Sequence, residues 1–192
     1  EVAIIGDPVF ECASTFDKPS CALTKFPSTF TVGEELKFSG VAYGSAGKEL
    51  PETSVTWFIN RLHCTHGDCT NRAEATVTGT LEGSWIVENY QDFSRIEIEC
   101  RVLDKGVYAS STVLVEPETV EISLDTEPSG LPMSFGGKVG HPTPFTEQVV
   151  IGTTLGFGGP EELSNVGSEL EFRKWLDDSS EPAFLTLTFT ED

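Results

Sequence analysis

Residues 95–117 read RIEIECRVLDKGVYASSTVLVEP, and their alternation decides the fold class. Ile96, Ile98, Cys100 and Val102 occupy every second position, with Arg95, Glu97, Glu99 and Arg101 between them. A period of two sends successive side chains to opposite faces, so residues 95–104 predict a half-buried strand. A second strand is predicted over 107–117, and Lys105-Gly106 suits the tight reversal of a hairpin between the two. Cys100 falls on the inward face, where it is expected to be a buried free thiol.

The same pattern extends in both directions. Strands are predicted over 36–44 (LKFSGVAYG), 54–64 (SVTWFINRLHC), 74–81 (EATVTGTL) and 84–89 (SWIVEN). A second set begins after Pro117. In TVEISLDTEP, 119–128, Val120, Ile122 and Leu124 share one face. Further strands are expected in 131–140, 147–157, 168–178 and 183–192, the last with Leu185, Leu187 and Phe189 inward. Helical periodicity is nearly absent. Short strands at regular spacing, punctuated by Gly, Pro, Asn and Asp, indicate antiparallel sandwiches. The expected architecture is all-β, with two tandem antiparallel β-sandwich domains, residues 1–116 and 117–192. Only a short Pro-containing joint separates them, which favours a fixed relative orientation.

Several of these segments resemble known families. Gly33-Glu34 before KFSGVA, then SVTWFI with Trp57, RIEIECRVLD and ASSTVLV resemble the polycystic-kidney-disease-type (PKD-type) immunoglobulin-like domain. Val102-Leu103-Asp104 occupies that family's strand ending, whereas its usual Gly-Asp after the tryptophan strand is missing. TWFINRLHCTH is similar to the tryptophan strand of PKD-type domains attached to secreted glucose/sorbosone dehydrogenases. The stretch TVEISLDTEPSGLPMSFGGKVGHPTPFTEQVVIGTTLGF, with Phe172-Arg173-Lys174-Trp175 after it, is similar to a β module found behind such domains. The resemblance implies an immunoglobulin/PKD-like first domain, with Trp57 and Trp175 in the core, and an accessory module of a secreted protein.

The chain carries 31 acidic residues against 12 Lys and Arg, a formal charge of -19. Phosphate binding needs a basic face, so nucleic acid is not an expected partner. An anionic membrane surface is disfavoured on the same ground. No apolar run is long enough to span a bilayer, so membrane insertion is not expected. Five cysteines are present. Cys12 and Cys21 flank a short loop, as do Cys64 and Cys69, so two local disulfides are expected. Disulfides place the chain in an oxidising compartment, secreted or at the cell surface.

Candidate sites are few. Trp85, with Asn89, Tyr90, Gln91 and Asp92 after it and Phe93 nearby, offers the best sugar-binding patch, because flat aromatic faces beside polar groups suit pyranose rings. His63, His66 and Asp68 would supply a zinc or copper site, weighed against a plain disulfide-pinned loop. Asp177, Asp178 and Glu181 lie in one turn and would suit calcium, weighed against a solvated acidic loop. No cofactor is expected apart from calcium. No nucleophile-elbow, zinc-protease or phosphate-loop motif occurs, so the chain is not expected to be an enzyme. The sequence points to a non-catalytic extracellular accessory or interaction module. It would bind carbohydrate or matrix, and would space or anchor a larger secreted or cell-surface protein. The alternatives are a structural subunit of an extracellular filament or cell-wall assembly, joined to neighbouring chains, and the C-terminal appendage of a sugar oxidoreductase.

Overall fold

The computed structural model describes residues 18–65, 68–90, 92–159 and 184–188. Strands dominate them. In chain order they are β1 (Ser20–Lys25), β2 (Thr29–Phe30), β3 (Glu35–Tyr43), β4 (Val55–Thr65), β5 (Asp68–Thr78), β6 (Glu82–Ile86), β7 (Arg95–Asp104) and β8 (Val107–Pro117). There follow β9 (Thr119–Leu124), β10 (Pro132–Phe135), β11 (Lys138–Pro142), β12 (Phe145–Val150), β13 (Thr154–Gly158) and β14 (Phe184–Thr188). The expected all-β class holds throughout the described residues, where no helix is long and apolar enough to cross a membrane.

The first eight strands form two facing sheets. One has the order β1-β3-β6, and the other β2-β8-β7-β4-β5. The β7–β8 hairpin turns at Lys105-Gly106 as expected, with both residues at positive φ, 49° and 83°. Such a turn matches the twist of the strands it joins. Asp104 anchors its base by accepting hydrogen bonds from the Ser45 N–H and hydroxyl, each at 3.0 Å. Those donors hold its carboxyl below the usual range.

The alternation of β7 delivers Ile96, Ile98, Cys100 and Val102 into the space between the sheets, each with no solvent exposure. Trp57, on β4 directly opposite Cys100, is equally buried. Its ring tilts against Phe38 of the other sheet at 4.8 Å, and its Nε1–H donates to the Thr80 carbonyl at 3.0 Å. The tryptophan thus buries a large apolar surface without orphaning its one donor. Gly40 is required beside it. A Cβ there would lie 2.8 Å from the Ala22 carbonyl oxygen and 3.0 Å from the Trp57 ring.

The cysteine pairing corrects the sequence reading. Cys21 is joined to Cys100, 79 residues away, with Cα atoms 6.1 Å apart. Cys100 is therefore not a free thiol, and Cys21 is not available to Cys12, which lies outside the described residues. The physical reason is the placement of β1. It pairs with β3 in the opposite sheet and turns Cys21 inward, face to face with Cys100. Cys69 is also disulfide-bonded, and the β4–β5 register sets Cys64 across from it.

Strands β9 to β14 build a second pair of sheets, β12-β9 and β11-β10-β13-β14. Met133, Phe135, Val149, Leu155 and Phe157 form its core, with Val120, Ile122 and Leu124 packed against them from the face that their alternation predicts. Only Glu118 separates β8 from β9. The joint is tied by backbone bonds: Ile151 N–H donates to the Glu118 carbonyl, and Val32 N–H to the Ile151 carbonyl, both at 2.9 Å. Val150 packs into the first core rather than the second. Gly152, at φ 82°, lies so close to Val32 that a Cβ would sit 2.5 Å from the Val32 carbonyl oxygen.

Replacing Cys100 with Ala should lower unfolding stability by about 2–4 kcal/mol, the usual worth of a long-range bridge. Denaturant titration measures this. Peptide mapping without reductant should recover the Cys21 and Cys100 peptides joined; a Cys12–Cys21 peptide would contradict the pairing.

Candidate functional site

Arg61 follows Val55, Trp57 and Ile59 at spacing two, so it points inward at the end of the first sandwich. A lone guanidinium there would be costly, and the chain supplies its partners. The β4–β5 register slips between Ile59 and Asn60: Ile59 faces Ala75, whereas Asn60 faces Ala73. Glu74 is the residue left over. A bulge of this kind re-aims a side chain, and here it brings the Glu74 carboxylate to Arg61 Nε at 3.1 Å. Asp92 completes the clamp, 3.5 Å from Arg61 Nη1. The guanidinium lies 4.1 Å over the Tyr90 ring, adding a cation–π contact.

The Tyr90 hydroxyl is buried next to Glu74 without a well-formed hydrogen bond, while Glu74 Oε1 meets Arg61 and, at 3.7 Å, Arg72. Burial raises the Tyr90 pKa well above the ordinary value, and the charges of Glu74 and Glu88 reinforce the shift.

Ser94, His63 and Asp92 also meet here, but not as a nucleophile, base and orienter in series. Ser94 Oγ and Asp92 Oδ2 approach the same imidazole nitrogen, Nδ1, at 3.4 and 3.3 Å. The Ser94 hydroxyl donates directly to Asp92 Oδ1, which also accepts the Ser94 N–H at 3.0 Å. The serine is 1% exposed. This is a loop-closing turn rather than the relay of a hydrolase.

Beside the network lies a small cleft of about 80 Å³. Its lining joins Asp92 and Phe93 to apolar Phe135, Val149 and Leu155 and to polar Lys138, Glu147 and Gln148. Glu147 alternates with Phe145 and Val149 on β12, so it too is a charge at an inward position. Lys138 Nζ meets it at 3.1 Å. Phe93 is 48% exposed and offers an open ring face. Asn89 reaches across from the same loop and donates to the Thr154 carbonyl at 3.3 Å.

The expected residues divide accordingly. Asp92 lines the cleft, and Asn89 braces its loop. Trp85 and Tyr90 are partly buried and pack against the first core, so neither presents a free platform. Gln91 lies outside the described residues, as do His66, Asp177, Asp178 and Glu181. His63 is engaged with Asp92 and Ser94, while Asp68 is exposed at the start of β5. Among the described residues no group of three His, Cys, Asp or Glu side chains is arranged to hold a metal. Phe93, expected beside the Trp85 patch, lines the cleft with Asp92. The sequence reading missed Arg61, Glu74 and Glu147. Arg61 and Glu147 carried a legible signal, a charge at an inward position of an alternating strand.

No protein-family model matches the chain, and no curated protein matches it. Among solved structures it is similar to Spo0M, a sporulation control protein from Bacillus subtilis, at 9% identity over 89% of each chain. The TM-score is 0.36, too low to carry an argument.

Arg61→Ala should destabilise the chain by about 3 kcal/mol, since it leaves the buried Glu74 with only the distant, exposed Arg72 to answer its charge. Arg61→Met with Glu74→Leu should recover much of that loss in thermal and denaturant melts. Tyr90→Phe should leave stability at pH 7 unchanged or higher, because it removes a buried hydroxyl without a well-formed hydrogen bond. The raised pKa makes the folded chain hold the phenolic proton harder than the unfolded one, whose tyrosine titrates near about 10. The stability due to Tyr90 is therefore complete below that pH and is lost as the pH rises beyond it. An alkaline stability titration should show that loss in the parent and a smaller one in Tyr90→Phe.

Proposed function

We propose that the chain is a non-catalytic extracellular accessory module that binds a polar, carbohydrate-like group of a matrix or cell-wall component. It would hold a larger secreted or cell-surface protein at a set distance from that component. In this reading residues 1–116 form an immunoglobulin/PKD-like sandwich and residues 117–192 a second small antiparallel β domain. The facing sheets, and a disulfide that bridges them next to Trp57, support the first assignment. The bridge also suits an oxidising compartment.

The observation that carries the proposal is the cleft itself. It combines one open aromatic face, Phe93, with Asp92, Lys138, Glu147 and Gln148 around it. Its volume suits a small polar group rather than a large apolar ligand. An aromatic ring bordered by hydrogen-bonding side chains is the chemistry that engages one sugar face and its hydroxyls. The tied joint between Val32, Glu118 and Ile151 supports the spacing role, because a ligand gripped at this junction is held in a fixed direction.

A glycan array probed with and without calcium tests the reading. The parent chain should bind at least one class of polysaccharide, and Phe93→Ala and Gln148→Ala should each weaken it about tenfold, with melting temperature unchanged. Absence of binding by the parent chain in both conditions would remove the carbohydrate reading.

A further inference from the structure

We propose that the cleft is a pocket for an acetamido group, so that the sugar recognised is an N-acetylated one; this rests on the carbohydrate reading of the cleft and names the substituent that enters it. Size sets the first condition. A cavity of about 150 Å³ takes one benzene ring. This cleft has about 80 Å³, too little for a pyranose ring and enough for one substituent. The ring itself stays outside, where Phe93, which lines the cleft and is half exposed, offers it a flat face.

Charge sets the second condition. Of the described residues that line the cleft, three are charged, Asp92, Lys138 and Glu147, and each already has its partner. Lys138 Nζ meets Glu147 Oε1 at 3.1 Å. Asp92 Oδ1 accepts both the N–H and the hydroxyl of Ser94, and its Oδ2 faces Arg61 Nη1 at 3.5 Å and His63 Nδ1 at 3.3 Å. A carboxylate or an ammonium entering from water would shed its hydration and find its counter-charge engaged. A neutral substituent avoids that cost.

The remaining lining separates the neutral candidates. Phe135, Val149, Val150 and Leu155 are buried apolar side chains that border the cleft. A bare hydroxyl would leave that apolar surface without contacts. An acetamido group joins a methyl, which those side chains can cover, to an amide N–H and a carbonyl, which need polar partners. Gln148 is exposed and carries both an amide donor and an amide acceptor. Lys138 keeps N–H donors beyond the one spent on Glu147. An acetylated lysine side chain ends in the same group, but its thin aliphatic stem has no flat face to set against Phe93.

Calorimetric titration of the whole chain with matched oligosaccharides of N-acetylglucosamine, glucosamine and glucose tests the proposal. The three share one linkage and differ in a single substituent: acetamido, ammonium or hydroxyl. The acetylated oligomer should bind about tenfold tighter than either of the others, the usual scale for filling an apolar pocket. Lys138 is largely exposed, so Lys138→Met should leave the melting temperature unchanged while freeing Glu147 of its partner. Its preference should move about tenfold or more toward the glucosamine oligomer. Tighter binding of the glucosamine or glucose oligomer by the parent chain overturns the acetamido pocket and leaves the carbohydrate reading standing. An unchanged preference in Lys138→Met does the same. Binding of a peptide that carries Nε-acetyl-lysine, with none of the sugars bound, overturns both. A chain that ignores every probe overturns the acetamido pocket, and the wider reading then stands or falls by the glycan array alone.

Discussion

The two sheets of the first sandwich are held at one place by a covalent bond and a ring: the Cys21–Cys100 bridge and the indole of Trp57. Sheets packed face to face interdigitate side chains across a layer about 10 Å thick, and that layer tolerates neither voids nor excess volume. Trp57 fills it, Phe38 tilts against it, and Gly40 supplies the clearance the ring needs. Once this layer is fixed, the alternation of β4 and β7 has no freedom left. Every inward residue must suit the interior, and every outward residue becomes surface.

That constraint explains the polar end of the sandwich. Alternation carries Arg61 inward where the apolar layer stops. The charge is accommodated by a bulge that turns Glu74 in to meet it, by Asp92 from the facing loop, and by the Tyr90 ring. The arrangement also orients the loop that borders the cleft. Asp92 belongs to both, so the ion-pair network buttresses the lining of the cleft. Glu147, the other inward charge, lines the same cleft and is met by Lys138.

Local pattern made much of this legible. The period of two located β7 and β8 at their observed bounds, and Lys105-Gly106 located the turn. The faces of Val120, Ile122 and Leu124 were equally readable. What could not be read was anything requiring one sheet to face another. Cys12 and Cys21 looked like partners because they are near in sequence, but the fold sets β1 opposite β7 and joins Cys21 to a residue 79 positions away. Trp85 and Tyr90 looked like an open platform because their neighbours are polar, yet both lean on the first core. Phe93, grouped with them, is the aromatic that is exposed, and the strands that line its cleft come from the second pair of sheets, a long-range property.

The Cys21–Cys100 bridge also has a mechanical meaning. A chain pulled from its two ends carries the tension through whatever folded part lies between them. The bridge closes off 79 residues from extension. At about 3.3 Å per residue that is roughly 260 Å of slack that pulling cannot draw out while the bond is intact. Only the residues outside the bridged interval remain free to lengthen. The first sandwich is thus built as a short, nearly inextensible link, and reduction of one bond would turn it into a long and compliant one.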